Sequence, residues 1–119
     1  MATQHRIFAM PFARVYPLYL AKVERKGRTR AELDGVIEWL TGRGSDALGE
    51  VVRQGADMAS FFRDAPCMNP ERLRVRGVVC GVRVEEVEDP LMREIRILDK
   101  LVDELAKGRP LSKVLGPRA

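Results

Sequence analysis

The sequence predicts one mainly α-helical domain, a small orthogonal bundle of five or six helices over residues 1–119. The length of 119 residues suits one fold around one core, and 45% apolar with 32% charged residues suit a folded chain rather than a disordered one. Residues that start and stop helices recur along the chain, and the longest stretch between two of them carries an apolar stripe.

The amino-terminal residues predict an arm followed by a short helix. The run 6–12 is apolar, but Pro11 interrupts any helix there, so we expect an extended arm that packs on the core. Pro17 suits a first helical position and Gly27 suits a helix end. These residues predict a helix from about residue 14 or 17 to residue 26.

A second helix is predicted from a Thr-X-X-Glu capping box. Thr29 and Glu32 have the spacing at which a hydroxyl and a carboxylate satisfy the free amides of a helix start. Apolar residues then fall on one helical face, and Gly42 closes the helix. The apolar residues are Leu33, Val36, Ile37 and Leu40.

Two shorter helices are predicted next. Ser45 is a good N-cap for a third helix that ends at Gly55. Asp57 is predicted to cap a fourth helix, which ends before Pro66 because the residue before a proline avoids the helical conformation.

The spacing of the apolar residues in 71–88 fits both a helix and a strand. Four valines, at positions 75, 78, 79 and 82, suit a helix, while positions 78, 80, 82 and 84 alternate as in a strand. Gly77 and Gly81 favour a strand, whereas Asn69 and Pro70 form a fair helix start. The residues alone leave both open, so the alternative fold class is α+β with a hairpin in 73–87.

The longest helix is predicted from Pro90 to about residue 107, with Asp89 as N-cap. Its apolar side chains recur every three or four residues and form a broad stripe. They are Leu91, Ile95, Leu98, Val102 and Leu105. We expect this helix to be the central packing element, and the width of its stripe makes the same five residues the candidate interface for a protein partner or a second copy. A last short helix is predicted from residue 110 to 115.

The net charge of +4 is unevenly distributed. Residues 1–30 carry seven basic residues against one acidic residue, whereas residues 85–107 carry eight acidic against four basic. Such asymmetry can steer a phosphate-bearing partner to the basic end, or it can let the two ends lie against each other.

Five basic residues surround the predicted turn between the first two helices, and they are the candidate phosphate-contacting residues. They are Lys22, Arg25, Lys26, Arg28 and Arg30. The free amides at the start of the second helix would add donors for a phosphate. The two helices also resemble a helix-turn-helix loosely, although Glu32, Asp34 and Glu38 would then face phosphates. A solvated surface with internal ion pairs is the competing interpretation.

The sequence lacks the residue patterns that are typical of metal, cofactor and catalytic sites. Cys67 and Cys80 have no Cys-X-X-Cys spacing, His5 is the sole histidine, and we expect both thiols to be buried as small hydrophobic groups. We therefore predict no metal, no cofactor and no catalytic residue. Enzyme activity stays open but disfavoured, and a deep pocket that joins Cys80, Arg83 and Glu85 would revive it.

The chain resembles a bacterial family, the domain of unknown function 2200 family. Six segments carry the resemblance: 5–8, 15–19, 24–29, 39–42, 80–92 and 98–101. The resemblance implies a small, mainly helical, cytoplasmic protein, favours a helix over 71–88, and supplies no activity or ligand. The family pattern has an aromatic residue where this chain has Arg43.

The sequence thus predicts a non-catalytic interaction module that self-associates or docks a protein partner, and the alternative is a nucleic-acid-binding protein that uses the basic turn. No segment has the roughly 20 apolar residues of a membrane span, and the first residues lack a secretory signal, so we expect a cytoplasmic protein without membrane contact.

Overall fold

The computed structural model describes residues 6–116, which form six α-helices and one short β-hairpin. The helices are α1 (Phe12–Glu24), α2 (Arg30–Thr41), α3 (Ser45–Gln54), α4 (Met58–Arg63), α5 (Pro90–Ala106) and α6 (Leu111–Val114), and the antiparallel hairpin pairs β1 (Val78–Val79) with β2 (Val82–Arg83). Single 3-10 turns cover Arg6–Ala9, Pro70–Arg74 and Val84–Glu86. The predicted mainly α class is confirmed.

Helix α5 is the central packing element, as predicted. It contacts α1, α2, α4, α6 and β1, and four of its five stripe residues are buried. These four are Ile95, Leu98, Val102 and Leu105, while Leu91 is half-buried at the edge of the core. These residues were predicted as a candidate interface for a protein partner or a second copy. In the structure, other helices of the same chain cover the stripe, so it belongs to the core and not to the surface.

Helix α1 begins at Phe12, before the predicted start at about residue 14 or 17, so Pro17 lies inside the helix. Proline lacks the amide that would bond the carbonyl one turn before it, so α1 forgoes a single backbone hydrogen bond. Extending the helix back to residue 12 buries Phe12 completely and Val15 almost completely. Burial of two large apolar side chains offsets the missing bond.

The predicted extended arm is a 3-10 turn over Arg6–Ala9 instead. The chain becomes extended at Pro11, where a single β-bridge joins it to Asp57. The amide of Phe12 donates to the carbonyl of Ala56 at 2.8 Å, and the amide of Met58 donates to the carbonyl of Met10 at 2.9 Å. The arm therefore ties the start of α1 to the start of α4.

The predicted helix signals around α2 and α4 are confirmed. Thr29 and Glu32 form the capping box, and Gly42 ends α2 with a left-handed φ of 80°. The Asp57 side chain accepts a hydrogen bond from the amide of Ser60. Ser45 is instead the first residue of α3, after Gly44 as N-cap without a side-chain hydrogen bond.

The helix favoured over residues 71–88 is wrong, and the hairpin alternative describes this segment, in a shorter form. Gly77, Cys80 and Gly81 all have positive φ, at 113°, 52° and 77°, which an α-helix cannot continue through. The 3-10 turns Pro70–Arg74 and Val84–Glu86 flank the hairpin, and Val84 donates its amide to the carbonyl of Gly77 at 2.9 Å.

Both cysteines are free and exposed, so the prediction that their thiols are buried is wrong. Each lies on a loop that runs over the surface, Cys67 after α4 and Cys80 at the tip of the hairpin. His5 and the last residues of the predicted tail, 117–119, lie outside the described residues. Within 6–116, no helix combines the length and the apolar character needed to cross a membrane.

Candidate functional site

Arg28, the central residue of the predicted phosphate cluster, binds groups of its own chain. Its guanidinium forms a salt bridge with Glu32 at 2.6 Å and donates to the carbonyls of Leu105 and Arg109 at 3.3 and 2.9 Å. Glu32 in turn caps the free amide of Thr29. The Arg28 guanidinium and the Thr29 amide, which were expected to bind a phosphate, therefore already bind the carboxylate of Glu32.

Three of the other predicted residues, Lys22, Arg25 and Lys26, do come together, and Lys107 joins them. They surround Asp103 in a depression of about 520 Å³. Lys22 and Lys107 bind the two oxygens of Asp103 at 3.1 and 2.9 Å. Burial raises the pKa of Asp103, but the hydrogen bonds from Lys107 and Lys22 outweigh it and leave the pKa lowered.

This basic depression lies where α1 and α5 both end. Arg25 is the C-cap of α1 and Lys107 is the C-cap of α5. The carboxyl end of a helix carries partial negative charge that attracts cations. The clustering is thus explained by the two helix ends, and the competing interpretation of internal ion pairs accounts for Lys22 and Arg28.

Arg30, the fifth predicted residue, lies away from the others in a cavity between α1, α2 and α3. Its guanidinium is 5.8 Å from the centre of the Tyr16 ring, and the Tyr16 hydroxyl donates to Asp34. Burial, followed by the bond to Asp34, raises the pKa of Tyr16 far above its usual value. Within the described range, no salt bridge includes Arg30 or Asp34.

The three-helix cavity has a volume of about 480 Å³, within the range of small-molecule sites. Its lining combines apolar and polar side chains. They are Phe12, Tyr16, Arg30, Asp34, Ser45, Leu48, Gly49, Val52 and Arg53. An aromatic and aliphatic floor thus lies beneath a rim that holds both signs of charge.

A second depression, which we name the arginine–leucine groove, runs along the amino-terminal turn and α1. It has a volume of about 950 Å³ and is lined by Arg6, Ile7, Ala9, Met10, Pro11, Arg14 and Leu18. Leu18 is 64% exposed, the most exposed large apolar side chain among residues 6–116. In that same part of the chain, neither Arg6 nor Arg14 forms a salt bridge.

Sequence reasoning missed Leu18, although a signal was present. The buried residues of α1 are Phe12, Val15, Tyr19 and Val23. Leu18 falls about a quarter turn away from the face that they define. It stands out as an apolar residue off the buried face only when the helix is known to begin at residue 12.

Cys80, Arg83 and Glu85 do not converge on a deep pocket. Cys80 and Arg83 are exposed on the hairpin, and the Glu85 carboxylate accepts a hydrogen bond from the amide of Gly77 at 3.0 Å. This bond lowers the pKa of Glu85. Among residues 6–116, no three His, Cys, Asp or Glu side chains form a group that could hold a metal ion.

Arg43 lies at the position where the family resemblance predicts an aromatic residue. It is 7% exposed, its guanidinium lies 4.7 Å from the centre of the Phe61 ring, and it donates to the carbonyl of Phe61. Burial lowers the pKa of Arg43. A flat guanidinium can stack on an aromatic ring as an aromatic side chain would, which explains why the turn tolerates it.

Comparisons with known proteins support the fold and assign no activity. A family model described as an uncharacterized protein conserved in bacteria (DUF2200) matches residues 6–116. The crystal structure of the uncharacterized protein SP1917 has a TM-score of 0.88 at 45% sequence identity, and the match covers 97% of this chain and 94% of that one. No curated protein matches the chain.

Proposed function

The chain belongs to the DUF2200 family of uncharacterized proteins conserved in bacteria, and we propose that it is a non-catalytic interaction module. Its arginine–leucine groove docks an acidic segment of a protein partner, anchored by an apolar side chain. The observation that carries this proposal is the 64% exposure of Leu18 in a groove that also holds two arginines without carboxylate partners in the described part of the chain.

The apolar part of the groove supports an anchored segment. A single exposed leucine is ordinary on a protein surface. Leu18 and Ile7, however, also line a second cavity of about 220 Å³, where Val15 and Ile95 extend the apolar surface towards Arg96 and Asp99. Contiguous apolar area of this kind is typical of an interaction site.

The charge of the groove supports an acidic partner. Arg6 and Arg14, the two charged residues that line the groove, are both exposed, and neither forms a salt bridge within residues 6–116. Guanidinium groups bind carboxylates in a bidentate geometry, and a positive electrostatic potential raises the association rate of an acidic segment. The apolar anchor and the two arginines therefore point to an acidic amphipathic segment.

The test is affinity capture from a lysate of the source bacterium, with and without nuclease. The wild type is compared with Leu18→Glu and Arg14→Glu, and Arg53→Glu is the matched control because it changes an exposed arginine on α3 outside the groove. We expect a nuclease-resistant partner that the wild type and the control retain. Capture should fall roughly tenfold or more in the two groove variants, as at the centre of an interface.

A synthetic peptide with the acidic segment of the captured protein should then shift the backbone amide NMR signals of Arg14 and Leu18, and its binding should weaken as salt is added. A partner that Leu18→Glu retains overturns the proposal. Capture that disappears with nuclease supports instead the alternative function, nucleic-acid binding through Lys22, Arg25 and Lys26. If sedimentation shows self-association and Leu18→Glu abolishes it, the groove binds a second copy of the chain and not an acidic segment.

A further inference from the structure

We propose that the cavity between α1, α2 and α3 binds a small zwitterion with an apolar side chain, of the class of the apolar α-amino acids. This site is separate from the arginine–leucine groove and does not depend on the proposed docking function. Three features of the cavity fit such a ligand: a cation and an anion held apart in the rim, two residues that lower helix stability, and an apolar floor.

The rim keeps a cation and an anion apart. Arg30 and Asp34 lie one helical turn apart on α2, a spacing at which opposite charges commonly pair. Instead Tyr16 lies between them, because its ring faces the Arg30 guanidinium and its hydroxyl donates to Asp34. A ligand that carries both an ammonium and a carboxylate complements this arrangement, with the ammonium at Asp34 and the carboxylate at Arg30.

Arg30 has a position that helix stability does not explain. It is the first residue of α2, where the helix end carries partial positive charge and disfavours a cation. The capping of α2 uses Thr29 and Glu32, and the Arg30 guanidinium takes no part in it but lies over the Tyr16 ring at the rim of the cavity.

Gly49 likewise has no structural reason to be glycine. It lies within α3, where glycine is less stable than alanine by about 1 kcal/mol. A Cβ at this position would meet the Arg53 guanidinium at 3.5 Å, which is an ordinary contact. The absence of a side chain keeps this wall of the cavity open. Two residues that lower helix stability thus line the same cavity, and such violations concentrate at functional sites.

The floor supplies a place for an apolar side chain. Phe12 and Leu48 are buried beneath the cavity, and Val52 is 42% exposed at its edge. The ring of Phe12 is 5.7 Å from that of Tyr16, so the floor continues to the charged rim. A ligand with an aromatic or branched aliphatic group would cover Val52 while its charged end meets α2.

The test uses four probes that separate the three parts of the ligand. They are L-phenylalanine, 3-phenylpropionate without the ammonium, phenethylamine without the carboxylate, and glycine without the apolar group. Binding is followed by backbone amide NMR shifts of residues 30–34 and 45–53. We expect phenylalanine to bind at least about tenfold more tightly than each of the others, because each lacks a charge-assisted bond or the apolar contact.

Three variants assign the contacts. Asp34→Asn should lower the affinity for phenylalanine about tenfold to the level of 3-phenylpropionate, whose own affinity should not fall. Arg30→Gln should lower it to the level of phenethylamine. Gly49→Leu should abolish binding of all probes and leave the melting temperature unchanged or higher, which separates a filled cavity from an unfolded protein. Arg63→Gln, which changes an exposed arginine on α4 outside both the cavity and the arginine–leucine groove, is the matched control.

The proposal is overturned if 3-phenylpropionate binds as tightly as phenylalanine, which would make the ligand a simple anion. It is equally overturned if Asp34→Asn or Gly49→Leu binds phenylalanine like the wild type, or if no probe shifts the amides of residues 45–53. Loss of acidic-peptide binding in the Leu18→Glu variant leaves this result unaffected, so the two proposals fail separately.

Discussion

At Cys80 the backbone adopts a conformation that its side chain disfavours. The residue has a φ of 52° and is followed by Gly81 at 77°, so both residues of the two-residue hairpin loop are left-handed. Such loops favour asparagine followed by glycine. Here a cysteine occupies the first position, where a residue other than glycine or asparagine costs about 1–2 kcal/mol.

Replacement of this cysteine should therefore stabilise the protein. We expect Cys80→Asn to raise the free energy of unfolding by about 0.5–1 kcal/mol, because asparagine tolerates the left-handed region. Chemical denaturation with urea measures the change. Cys80→Ala is the control, since alanine has the same conformational strain as cysteine. Equal stabilisation by alanine and asparagine would show that the gain comes from removing the thiol rather than from the turn.

At the scale of elements, the start of α2 is fastened to the end of α5. Arg28 joins the carboxylate of Glu32 to the carbonyls of Leu105 and Arg109, and Glu32 caps Thr29. The Arg28 hydrogen bonds, followed by that from the Thr29 amide, lower the pKa of Glu32 from 4.5 to about 2. The contact therefore depends on the charged form of this carboxyl group.

The sign of the pH dependence follows from that shift. Because the pKa of Glu32 is lower in the folded state, its contribution is present above the ordinary carboxyl pKa and is lost as the pH falls from 4.5 towards 2. We expect Glu32→Gln to destabilise the protein by about 1 kcal/mol at pH 7, a value limited by solvent screening of this partly exposed pair. The difference from the wild type should shrink between pH 4.5 and 2.

Thermal unfolding of both proteins across this range measures the effect. Glu50→Gln is the control because Glu50 pairs with Arg53 within one exposed helix turn, where an ion pair contributes little. A Glu32→Gln difference that stays constant from pH 7 to pH 2 would rule out the charged contact as its source.

Helix boundaries show which features can be predicted from residues that are close in sequence. The capping box at Thr29 and the end at Gly42 could be predicted because each depends on residues within one turn of the boundary. The start of α1 could not, because it depends on the burial of Phe12 against Phe61, whose ring centres are 4.3 Å apart although the residues are distant in sequence. A distant contact of this kind outweighs the local signal of Pro17.

At the scale of the whole molecule, stability depends on α5. Leu98 is completely buried in the helix that contacts α1, α2, α4 and α6. We expect Leu98→Ala to lower the free energy of unfolding by about 2–5 kcal/mol, because it removes buried methyl groups and leaves a cavity. Leu73→Ala is the control, since Leu73 is 52% exposed and its loss should change stability by less than about 0.5 kcal/mol. Similar effects of the two substitutions, measured by urea denaturation, would contradict the central role of α5.

The sequence by itself determined the helical class, the caps of α2 and α4 and the stripe of α5, because periodicity and capping act between residues a few positions apart. Only the tertiary structure decided that the stripe is core, that Arg28 fastens α2 to α5, and that Arg30 meets Tyr16 and Asp34 in one cavity. These outcomes depend on which elements pack together, and a side chain is free to bind a ligand only after the fold has satisfied its own charges and carbonyls.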